Sequence, residues 1–457
     1  MRLHPAPPNR AQGIQIPEKG SPGLGDPLFP ELGNGGYDAL HYSLDLDVDV
    51  RRNWLAAHSV MEARAEKELS AFNLDFRGFD IARITVNGQP ARYLREGAEL
   101  TVLPARPLPA GEKFEVGVDY SGRPAPYESP YGPIPLGWTN FGRGVYVVSE
   151  PDGASSWFPV NDHPRDKATY SFRVTVPQGY VAAANGVLQE TTPHDGKTTF
   201  RFEAEDPMAS FLATVHIGNY VRREEAGPGG IPIRHYFPAD IAEEASYDFG
   251  RTAEMLEYFG QLFGPYPFKT YGAVVMDTNV GGAALETQTL PLFERDMVTG
   301  DRSMESVYVH ELAHQWFGNS VSLKNWQDIW LAEGFASYAQ WLWIEKEQGP
   351  QALEAQARRA HRYLRSSSGS NPVAKPAADE LFSSRVYLQG ALTLHALRRR
   401  LGDEAFFRTV RSFFSTYRDR SASTEDFVKM AQETSGAELG SFFQSWLYAR
   451  RVPDLPA

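Results

Sequence analysis

The sequence predicts an α+β protein in which an antiparallel β-domain precedes a mainly helical domain. Three observations support this prediction. Alternating hydrophobic segments fill the first half, a glycine- and proline-rich segment interrupts the chain at 227–230, and a helical hydrophobic period dominates the second half. At 457 residues the chain is long enough for two or three domains. We therefore predict a flexible N-terminal tail at 1–30, a β-domain at 31–222 and a helical domain at 223–457.

The β-domain is predicted from segments with a period of two residues. In residues 37–50 hydrophobic side chains occupy every second position, and residues 114–120 and 170–176 alternate in the same way. The dipeptides Asn87-Gly88 and Asp195-Gly196 favour the two-residue turns of β-hairpins. Strands at this spacing, with turn residues between them, predict one large antiparallel domain.

The helical domain is predicted from the change of hydrophobic period after the 227–230 segment. From Glu243 onward, apolar side chains recur with the helical period, and Gly264-Pro265 provides a stop. Most of the remaining chain follows the same pattern.

Composition narrows the possible functions. The net charge of −12, from 45 Lys and Arg against 57 Asp and Glu, argues against nucleic acid as a partner, because that function needs a basic surface. The absence of cysteine excludes disulfides, zinc fingers, iron–sulfur clusters and thiol nucleophiles. A transition-metal site in this chain must therefore use histidine nitrogen and carboxylate oxygen.

The N-terminal residues show no targeting signal. Residues 1–30 are rich in proline and glycine and lack the apolar core of a signal peptide. No segment reaches the roughly 20 apolar residues that a membrane-spanning helix needs. We expect no membrane partner and a cytoplasmic location. A mature secreted form, with its signal removed, would look the same and stays open as the alternative.

The segment His310-Glu311-Leu312-Ala313-His314 predicts a metal site. On a helix, residues four apart share a face, so both imidazoles can bind one zinc ion. Glu311 lies beside them, placed to contact a water molecule activated by the metal. Gly318-Asn319 predicts the end of this helix.

A third ligand must come from elsewhere in the chain. Glu333 follows His314 after an interval of 18 residues, within Trp330-Leu-Ala-Glu-Gly-Phe-Ala336. Residues 324–328 predict a turn before a second helix that runs towards Lys346, so the two helices can fold back on each other. Glu333 would then complete a His₂Glu set with an open fourth position. Asp328 could orient a ligand histidine, or serve as a helix N-terminal carboxylate.

The chemistry of this set indicates hydrolysis of an amide or ester. An open zinc position activates water and polarises a carbonyl, and the adjacent glutamate accepts the proton. The residues alone do not distinguish an endopeptidase from an exopeptidase or an epoxide hydrolase.

The segments H-E-L-A-H-Q-W-F-G-N at 310–319 and W-L-A-E-G-F-A at 330–336 resemble the aminopeptidase N family of zinc metallopeptidases, the gluzincins with the pattern H-E-x-x-H-x18-E. The resemblance runs from about residue 37 to the C-terminus. It implies a saddle-like β-domain followed by a thermolysin-like catalytic domain with one zinc ion. It also implies removal of single N-terminal residues from peptides with a free N-terminus. The chain looks like a shortened, two-domain member.

The resemblance also implies a substrate-binding set. The family's G-A-M-E-N signature is matched by Ala283-Ala284-Leu285-Glu286-Thr287, in which Glu286 would bind the α-amine and Ala283 and Ala284 would pair with the peptide backbone. Glu150, in a segment similar to the family's Q-x-E, would be a second amine-binding acid. Tyr387, in Val386-Tyr-Leu-Gln-Gly-Ala391, would stabilise the oxyanion.

The sequence thus predicts a zinc aminopeptidase. The alternatives are a zinc endopeptidase and a non-catalytic scaffold with the same fold. The preferred side chain, the oligomeric state and the physiological substrate are not predicted.

Overall fold

The structure is a computed structural model that describes residues 19–129, 134–367 and 371–456. Its contacts divide the chain into two compact units, and the boundary in the sequence lies between Asn219 and Tyr220. We refer to them as the N-terminal unit and the C-terminal unit. The first is rich in β-strands and the second carries the helices, as the sequence predicts.

The N-terminal unit consists of short and long strands with 3₁₀ turns between some of them. The strands are β1 (Tyr37–Asp49), β2 (Trp54–Ala65), β3 (Phe72–Asp75), β4 (Asp80–Val86), β5 (Gln89–Pro90), β6 (Arg92–Glu96), β7 (Glu99–Leu103), β8 (Lys113–Gly122), β9 (Gly137–Asn140), β10 (Val145–Val148), β11 (Lys167–Pro177), β12 (Val181–Ala184), β13 (Val187–His194), β14 (Lys197–Ala209) and β15 (Val215–Gly218).

The largest sheet of this unit is mixed rather than purely antiparallel. Its order is β13-β14-β11-β1-β2-β8-β4-β5, with smaller sheets β12-β15-β10-β9 and β3-β7-β6. All its pairs are antiparallel except β1 with β11, which run parallel from His41–Thr169 to Asp47–Thr175. The prediction of an antiparallel domain is corrected at this one pair. Local alternation identifies a strand but does not reveal the direction of a partner far away in the chain.

Both predicted hairpins are confirmed. Val86 pairs with Gln89 and His194 pairs with Lys197, so each turn has two residues. Asn87 and Gly88 have φ of 50° and 73°, the left-handed conformation that such turns require.

The flexible tail predicted at 1–30 is corrected over its last part. Residues 1–18 lie outside the described residues. From Lys19 onward the chain packs on the N-terminal unit, where Lys19 bridges to Ala71 and the buried Asp26 carboxylate lies 3.1 Å from Nε2 of the buried His163. Proline and glycine content identifies a segment without regular structure, but not whether its few side chains find partners.

The C-terminal unit begins with a small sheet and continues as packed helices. Its strands are β16 (Tyr220–Ala226), β17 (Pro232–Pro238), β18 (Val274–Val275), β19 (Ala284–Leu285), β20 (Leu292–Phe293), β21 (Val321–Leu323) and β22 (Arg420–Ala422). Its helices are α1 (Ala242–Asp248), α2 (Thr252–Phe263), α3 (Glu305–Ala313), α4 (Trp330–Gln348), α5 (Pro350–Ser366), α6 (Ser384–Leu401), α7 (Asp403–Tyr417), α8 (Thr424–Ser435) and α9 (Gly440–Leu447). No helix of the described residues is long and apolar enough to cross a membrane.

The helical period predicted after Glu243 is confirmed and covers two helices, α1 and α2. Helix α1 ends at Asp248 and α2 starts at Thr252, whose hydroxyl donates to the carbonyl of Phe249 in the break. Gly250 lies in this break and disfavours a continuous helix. The predicted stop is confirmed, because Gly264 follows α2 with φ of 117°.

Except for Glu150, the residues predicted for the site lie in or next to strand β19 and helices α3, α4 and α6. The five-stranded sheet has the order β16-β17-β18-β20-β19, so β19 is an edge strand. Helix α3 packs behind this sheet through Tyr308, whose ring stacks on Phe249 at 4.1 Å. Helix α4 packs on the segment after α3 through Phe335 and Phe317, with ring centroids 4.1 Å apart. These contacts bring the two helices together at the candidate site.

Candidate metal centre

Two histidines project from the end of α3 into one buried space. His310 lies on the last turn of the helix and His314 is the residue that caps it. Their ring centroids are 4.7 Å apart with an interplanar angle of 79°. Only 8% of His310 and 1% of His314 is exposed. The helical spacing predicted from the sequence therefore directs both imidazoles to the same point.

Glu333 on α4 completes a set of three donor atoms. Its Oε2 lies 3.0 Å from Nε2 of His310 and 3.4 Å from Nε2 of His314. A tetrahedral zinc ion with ligands at about 2.1 Å separates them by about 3.4 Å. The three donors are buried and lie within 4.8 Å of one another. This geometry and the His₂Glu chemistry fit a zinc ion.

The outer nitrogen of each histidine has its own partner. Nδ1 of His310 lies 3.2 Å from Oε1 of Gln340, and Nδ1 of His314 lies 3.1 Å from the backbone carbonyl of Phe317. In both rings Nε2 is left to face Glu333. Such partners orient a ligand ring and select its tautomer. Sequence reasoning missed Gln340, although its position two helical turns after Glu333 places both on one face of α4.

Gly318 allows the chain to turn close to His314. Its φ is 121°, and a Cβ at this position would lie 2.9 Å from Nδ1 of His314. A side chain would collide with the ring or with its bond to Phe317. The helix itself ends at Ala313, five residues before the stop predicted at Gly318, and Gly318 instead leaves room for the bond between His314 and Phe317.

Asp328 orients neither histidine. Its Oδ1 accepts hydrogen bonds from the backbone N–H and the hydroxyl of Thr424, at 2.9 and 2.7 Å. Thr424 is the first residue of α8. The carboxylate therefore anchors the start of a helix, which agrees with the second interpretation of this residue.

Glu311 and Glu286 lie beside the donor set. Ligand atoms of Glu286, Glu311 and His314 are within 4.8 Å of one another, and both carboxylates are buried. Burial raises the pKa of the Glu311 carboxyl well above its usual value and also raises the pKa of Glu286, although the His314 imidazole opposes both shifts. A carboxyl with a raised pKa accepts a proton more readily, which suits a general base.

The buried carboxylates at this centre favour the binding of a cation. Burial disfavours the charged forms of His314 and Glu333, but their attraction to each other is stronger. Nearby carboxylates raise the pKa of His314 to about 10, and the two histidines lower the pKa of Glu333 to about 2. Three acidic side chains are gathered here in a buried place, where uncompensated negative charge is costly. A divalent ion supplies that compensation.

The backbone at Glu286 is held by the segment that follows the second histidine. The Glu286 carbonyl accepts hydrogen bonds from Nε2 of Gln315 at 3.1 Å and Nδ2 of Asn319 at 2.7 Å. Gln315 also accepts from the backbone N–H of Thr289 at 2.8 Å. The Thr287 hydroxyl donates to the carbonyl of Leu290 within its own turn. Gln315 and Asn319 therefore position Glu286, and sequence reasoning missed that role.

Ala283 and Ala284 lie at the open side of the small sheet. The Ala283 carbonyl accepts from the backbone N–H of Glu294 at 3.1 Å, and Ala284 pairs with Phe293. The Glu294 carboxylate accepts hydrogen bonds from the backbone N–H groups of Val280 and Gly282, at 2.8 and 2.7 Å, and these bonds fix the loop before β19. Since peptide groups alternate along a strand, those of Ala284 are directed to the edge that no described strand covers.

Tyr387 lies on the first turn of α6 and contacts His310. Its ring is stacked on that of His310, with centroids 5.8 Å apart and an angle of 16°. The side chain is half-buried. Among the described residues, the structure thus gathers His310, His314, Glu333, Glu311, Glu286 and Tyr387 in one place within the C-terminal unit.

Glu150 lies in the N-terminal unit, two residues after β10 ends at Val148. It is 7% exposed. Its predicted part in binding the substrate amine stays a prediction.

A β-rich unit, a helical unit and a buried His₂Glu set with an adjacent glutamate define a zinc metallopeptidase. Residues 38–212 match the family described as "Peptidase M1 N-terminal domain", and residues 247–446 match "Peptidase family M1 domain". The chain belongs to peptidase family M1.

Solved structures give the same family. A glutamate-to-alanine mutant of an M1 zinc metallopeptidase from Deinococcus radiodurans, bound to a Tyr-Ser-Ala substrate, is 34% identical. It has a TM-score of 0.88, with 95% of this chain and 99% of that chain covered.

Two curated relatives are more distant. Leukotriene A-4 hydrolase of Xenopus laevis is 26% identical over 86% of this chain and 68% of its own length. Aminopeptidase B of Rattus norvegicus is 29% identical over 63% of this chain and 46% of its own length. The match therefore spans less than half of the rat protein.

Proposed function

We propose that this M1 metallopeptidase is an aminopeptidase that hydrolyses the N-terminal peptide bond of peptides. The observation that carries the proposal is the position of the Glu286 carboxylate, which lies within 4.8 Å of ligand atoms of both Glu311 and His314. A negative charge at this distance from the hydrolytic residues selects a substrate with a positive charge close to the bond that is cut.

The geometry of an amino acid explains why this selects the first peptide bond. In a residue with a free α-amine, the amine nitrogen and the carbonyl carbon are about 2.5 Å apart. An ammonium group bound by Glu286 therefore places the first carbonyl beside the metal centre, and no later carbonyl. A buried carboxylate binds an ammonium group favourably because the two charges compensate each other. When the N-terminus is acylated, the charge of the carboxylate stays uncompensated.

Each residue of the centre then has a defined task. Zinc, when bound, supplies a Lewis acid that polarises a carbonyl and lowers the pKa of water. Glu311 takes the proton from the attacking water and gives it to the leaving amine. The Tyr387 phenol donates a hydrogen bond to the oxygen that becomes negative in the transition state. His310, His314 and Glu333 hold the metal.

The edge of β19 supplies the remaining contacts to the substrate. A peptide aligned along this edge can pair with the backbone groups of Ala284, as peptides do when they add a strand to a sheet. The carbonyl of Ala283 points the other way, to Glu294. Main-chain pairing does not depend on the side chains of the peptide, so peptides of many sequences can bind. The Glu286 carboxylate determines how far the peptide N-terminus extends past the metal centre.

Relatives support the peptide as substrate. The Deinococcus protein was crystallised with a tripeptide, and the rat protein is named an aminopeptidase. The leading alternative is an endopeptidase with the same metal centre. The name of the Xenopus relative makes hydrolysis of leukotriene A-4 a second activity to assay.

Substrates with free and acetylated N-termini test the proposal. We expect hydrolysis of Leu-Gly-Gly by the zinc-loaded enzyme and a rate lower by about 100-fold or more for acetyl-Leu-Gly-Gly, because the buried Glu286 charge is then unpaired. Glu286→Gln should reduce kcat/KM for the free peptide by about 100-fold and leave the acetylated peptide almost unchanged.

Glu257→Gln, on the exposed side of α2, is the matched control and should have no effect on either peptide. Equal rates for the two peptides, or cleavage between the second and third residues, would indicate the endopeptidase. An unchanged preference for the free N-terminus in Glu286→Gln would contradict the role of Glu286.

A further inference from the structure

Gln340 has a side-chain amide whose orientation is determined by its surroundings. Its Nε2 lies 3.0 Å from the backbone carbonyl of Ser306 and 2.9 Å from the Ser306 hydroxyl oxygen. A backbone carbonyl can only accept, so the NH₂ group of the amide must face Ser306. Oε1 of Gln340 must therefore face Nδ1 of His310, which lies 3.2 Å away.

This orientation has a consequence for the imidazole. An amide oxygen can only accept, so Nδ1 of His310 carries a hydrogen and donates it to Gln340. In the neutral ring the other nitrogen, Nε2, then carries the lone pair. Nε2 is the atom that lies 3.0 Å from Glu333 and faces the donor set.

We infer that Gln340 is a positioning residue of the zinc site: oriented by Ser306, it holds His310 in the Nδ1–H tautomer that presents Nε2 to the metal. The inference depends on the zinc site and not on the proposed substrate. Ser306 and His310 are one turn apart on α3, and Glu333 and Gln340 are two turns apart on α4. One face of α4 therefore contacts both nitrogens of the His310 ring, Nε2 through Glu333 and Nδ1 through Gln340.

The two ligand histidines are held by different means. His314 donates to a backbone carbonyl, that of Phe317, and Gly318 leaves room for this bond. No side-chain substitution at Phe317 removes that acceptor. His310 instead depends on the side chain of a residue that is half-exposed. The structure thus predicts that the orientation of His310 alone is sensitive to mutation of its partner.

Zinc affinity tests the inference without an activity assay. Gln340→Met keeps the length of the side chain and removes the acceptor, and we expect zinc to bind about 10- to 100-fold more weakly, measured by competition with a chromophoric chelator. Gln340→Glu restores an acceptor and should bind zinc at least as tightly as the wild type. Gln348→Met, at the exposed end of the same helix, is the control and should not change the affinity.

Proton NMR of the cobalt(II)-substituted protein reports the two rings separately. Nδ1–H groups of metal-bound histidines give strongly shifted signals that exchange with solvent. In the wild type we expect two such signals, one for each ligand histidine. In Gln340→Met, the His310 signal should exchange several-fold faster or disappear, and the His314 signal should stay as an internal reference.

The thermal midpoint and circular dichroism of each variant confirm that it is folded. Zinc affinity of Gln340→Met within twofold of the wild type, together with two unchanged signals in the cobalt protein, would overturn the inference. Loss of both signals would also count against it, because a local tautomer effect must spare His314.

Discussion

Gly334 and Gly390 are in backbone contact. A Cβ on Gly334 would lie 2.8 Å from Cα of Gly390, and a Cβ on Gly390 would lie 2.7 Å from Cα of Gly334. Gly334 follows the proposed metal ligand Glu333 on α4, and Gly390 lies one turn after Tyr387 on α6. The pair therefore sets the separation of the two helices that carry a metal ligand and the proposed oxyanion donor.

Gly390→Ala should force α4 and α6 apart. Because the Cβ would meet backbone atoms, which cannot move aside like a side chain, we expect the free energy of unfolding to fall by about 1–3 kcal/mol. Tyr387 would move away from His310, and displacement of about 1 Å lowers turnover roughly 100-fold. Denaturant unfolding and kcat on an aminoacyl anilide measure the two effects.

Gly260→Ala is the matched control for this substitution. Gly260 lies on α2 and a Cβ there meets nothing within 4 Å, so we expect a gain of about 0.5–1 kcal/mol and unchanged turnover. If Gly390→Ala behaves like this control, close contact of the helices is not required for activity.

Glu311→Gln should retain zinc and lose turnover. The amide is similar in size to the carboxylate but cannot accept the proton, and general-base catalysis contributes about 100- to 10,000-fold. Metal content by atomic emission and kcat on a dipeptide give the two readouts. Residual activity above a tenth of the wild type, with full zinc, would contradict the assigned role of Glu311.

Gln315→Leu should weaken recognition of the free amine. The change removes two hydrogen bonds, the one that Gln315 donates to the Glu286 carbonyl and the one that it accepts from the Thr289 N–H. Both backbone groups are buried, so we expect the free energy of unfolding to fall by about 1–3 kcal/mol. It should also raise KM for free-amine peptides by about tenfold, since Glu286 is less well placed. Gln351→Leu, at the exposed start of α5, should leave KM unchanged, and equal KM for both variants would argue against the positioning role of Gln315.

Asp328→Asn should change how stability depends on pH. Burial raises the pKa of Asp328 to about 6, although its bonds from Thr424 oppose the shift, and its Oδ2 makes no hydrogen bond within the described residues. The unfolded chain, with the lower pKa, releases this proton first. The folded state therefore loses stability as pH rises from about 4 to 6.

The asparagine variant keeps the acceptor for Thr424 and carries no charge. Its stability relative to the wild type should rise by roughly 2 kcal/mol between pH 4 and pH 7, measured by denaturant unfolding of both proteins. Zinc loss in acid affects both proteins and largely cancels in the difference. A difference that is constant with pH would show that Asp328 does not titrate in this range.

The metal centre was largely predictable from the sequence because its parts lie on regular helices. The spacing of His310 and His314 decides that they share a face, and the interval to Glu333 is long enough for one helix to fold back on another. The hairpin at Asn87-Gly88 was predictable for a similar reason, since a two-residue turn depends on its own backbone conformation.

The unpredicted features depend on partners that are distant in the chain. The parallel pairing of β1 with β11 joins segments more than a hundred residues apart. Residues 19–30 contact distant segments through the pair of Asp26 with His163 and the bridge of Lys19 to Ala71, and the bond of Gln340 to His310 joins two helices. Local periodicity carries no information about such contacts.

The sequence by itself determined the metal chemistry. Without cysteine, only histidine and carboxylate donors were available, and their spacing on helices follows from 3.6 residues per turn. The tertiary structure alone decided which groups surround those donors. Packing of helices and strands brings separate segments of the chain to hydrogen-bonding or van der Waals distance, and such distances cannot be read from residue order. The contacts that depend on this packing are those of Gln340 with His310, of Gln315 and Asn319 with Glu286, and of Gly334 with Gly390 near Tyr387.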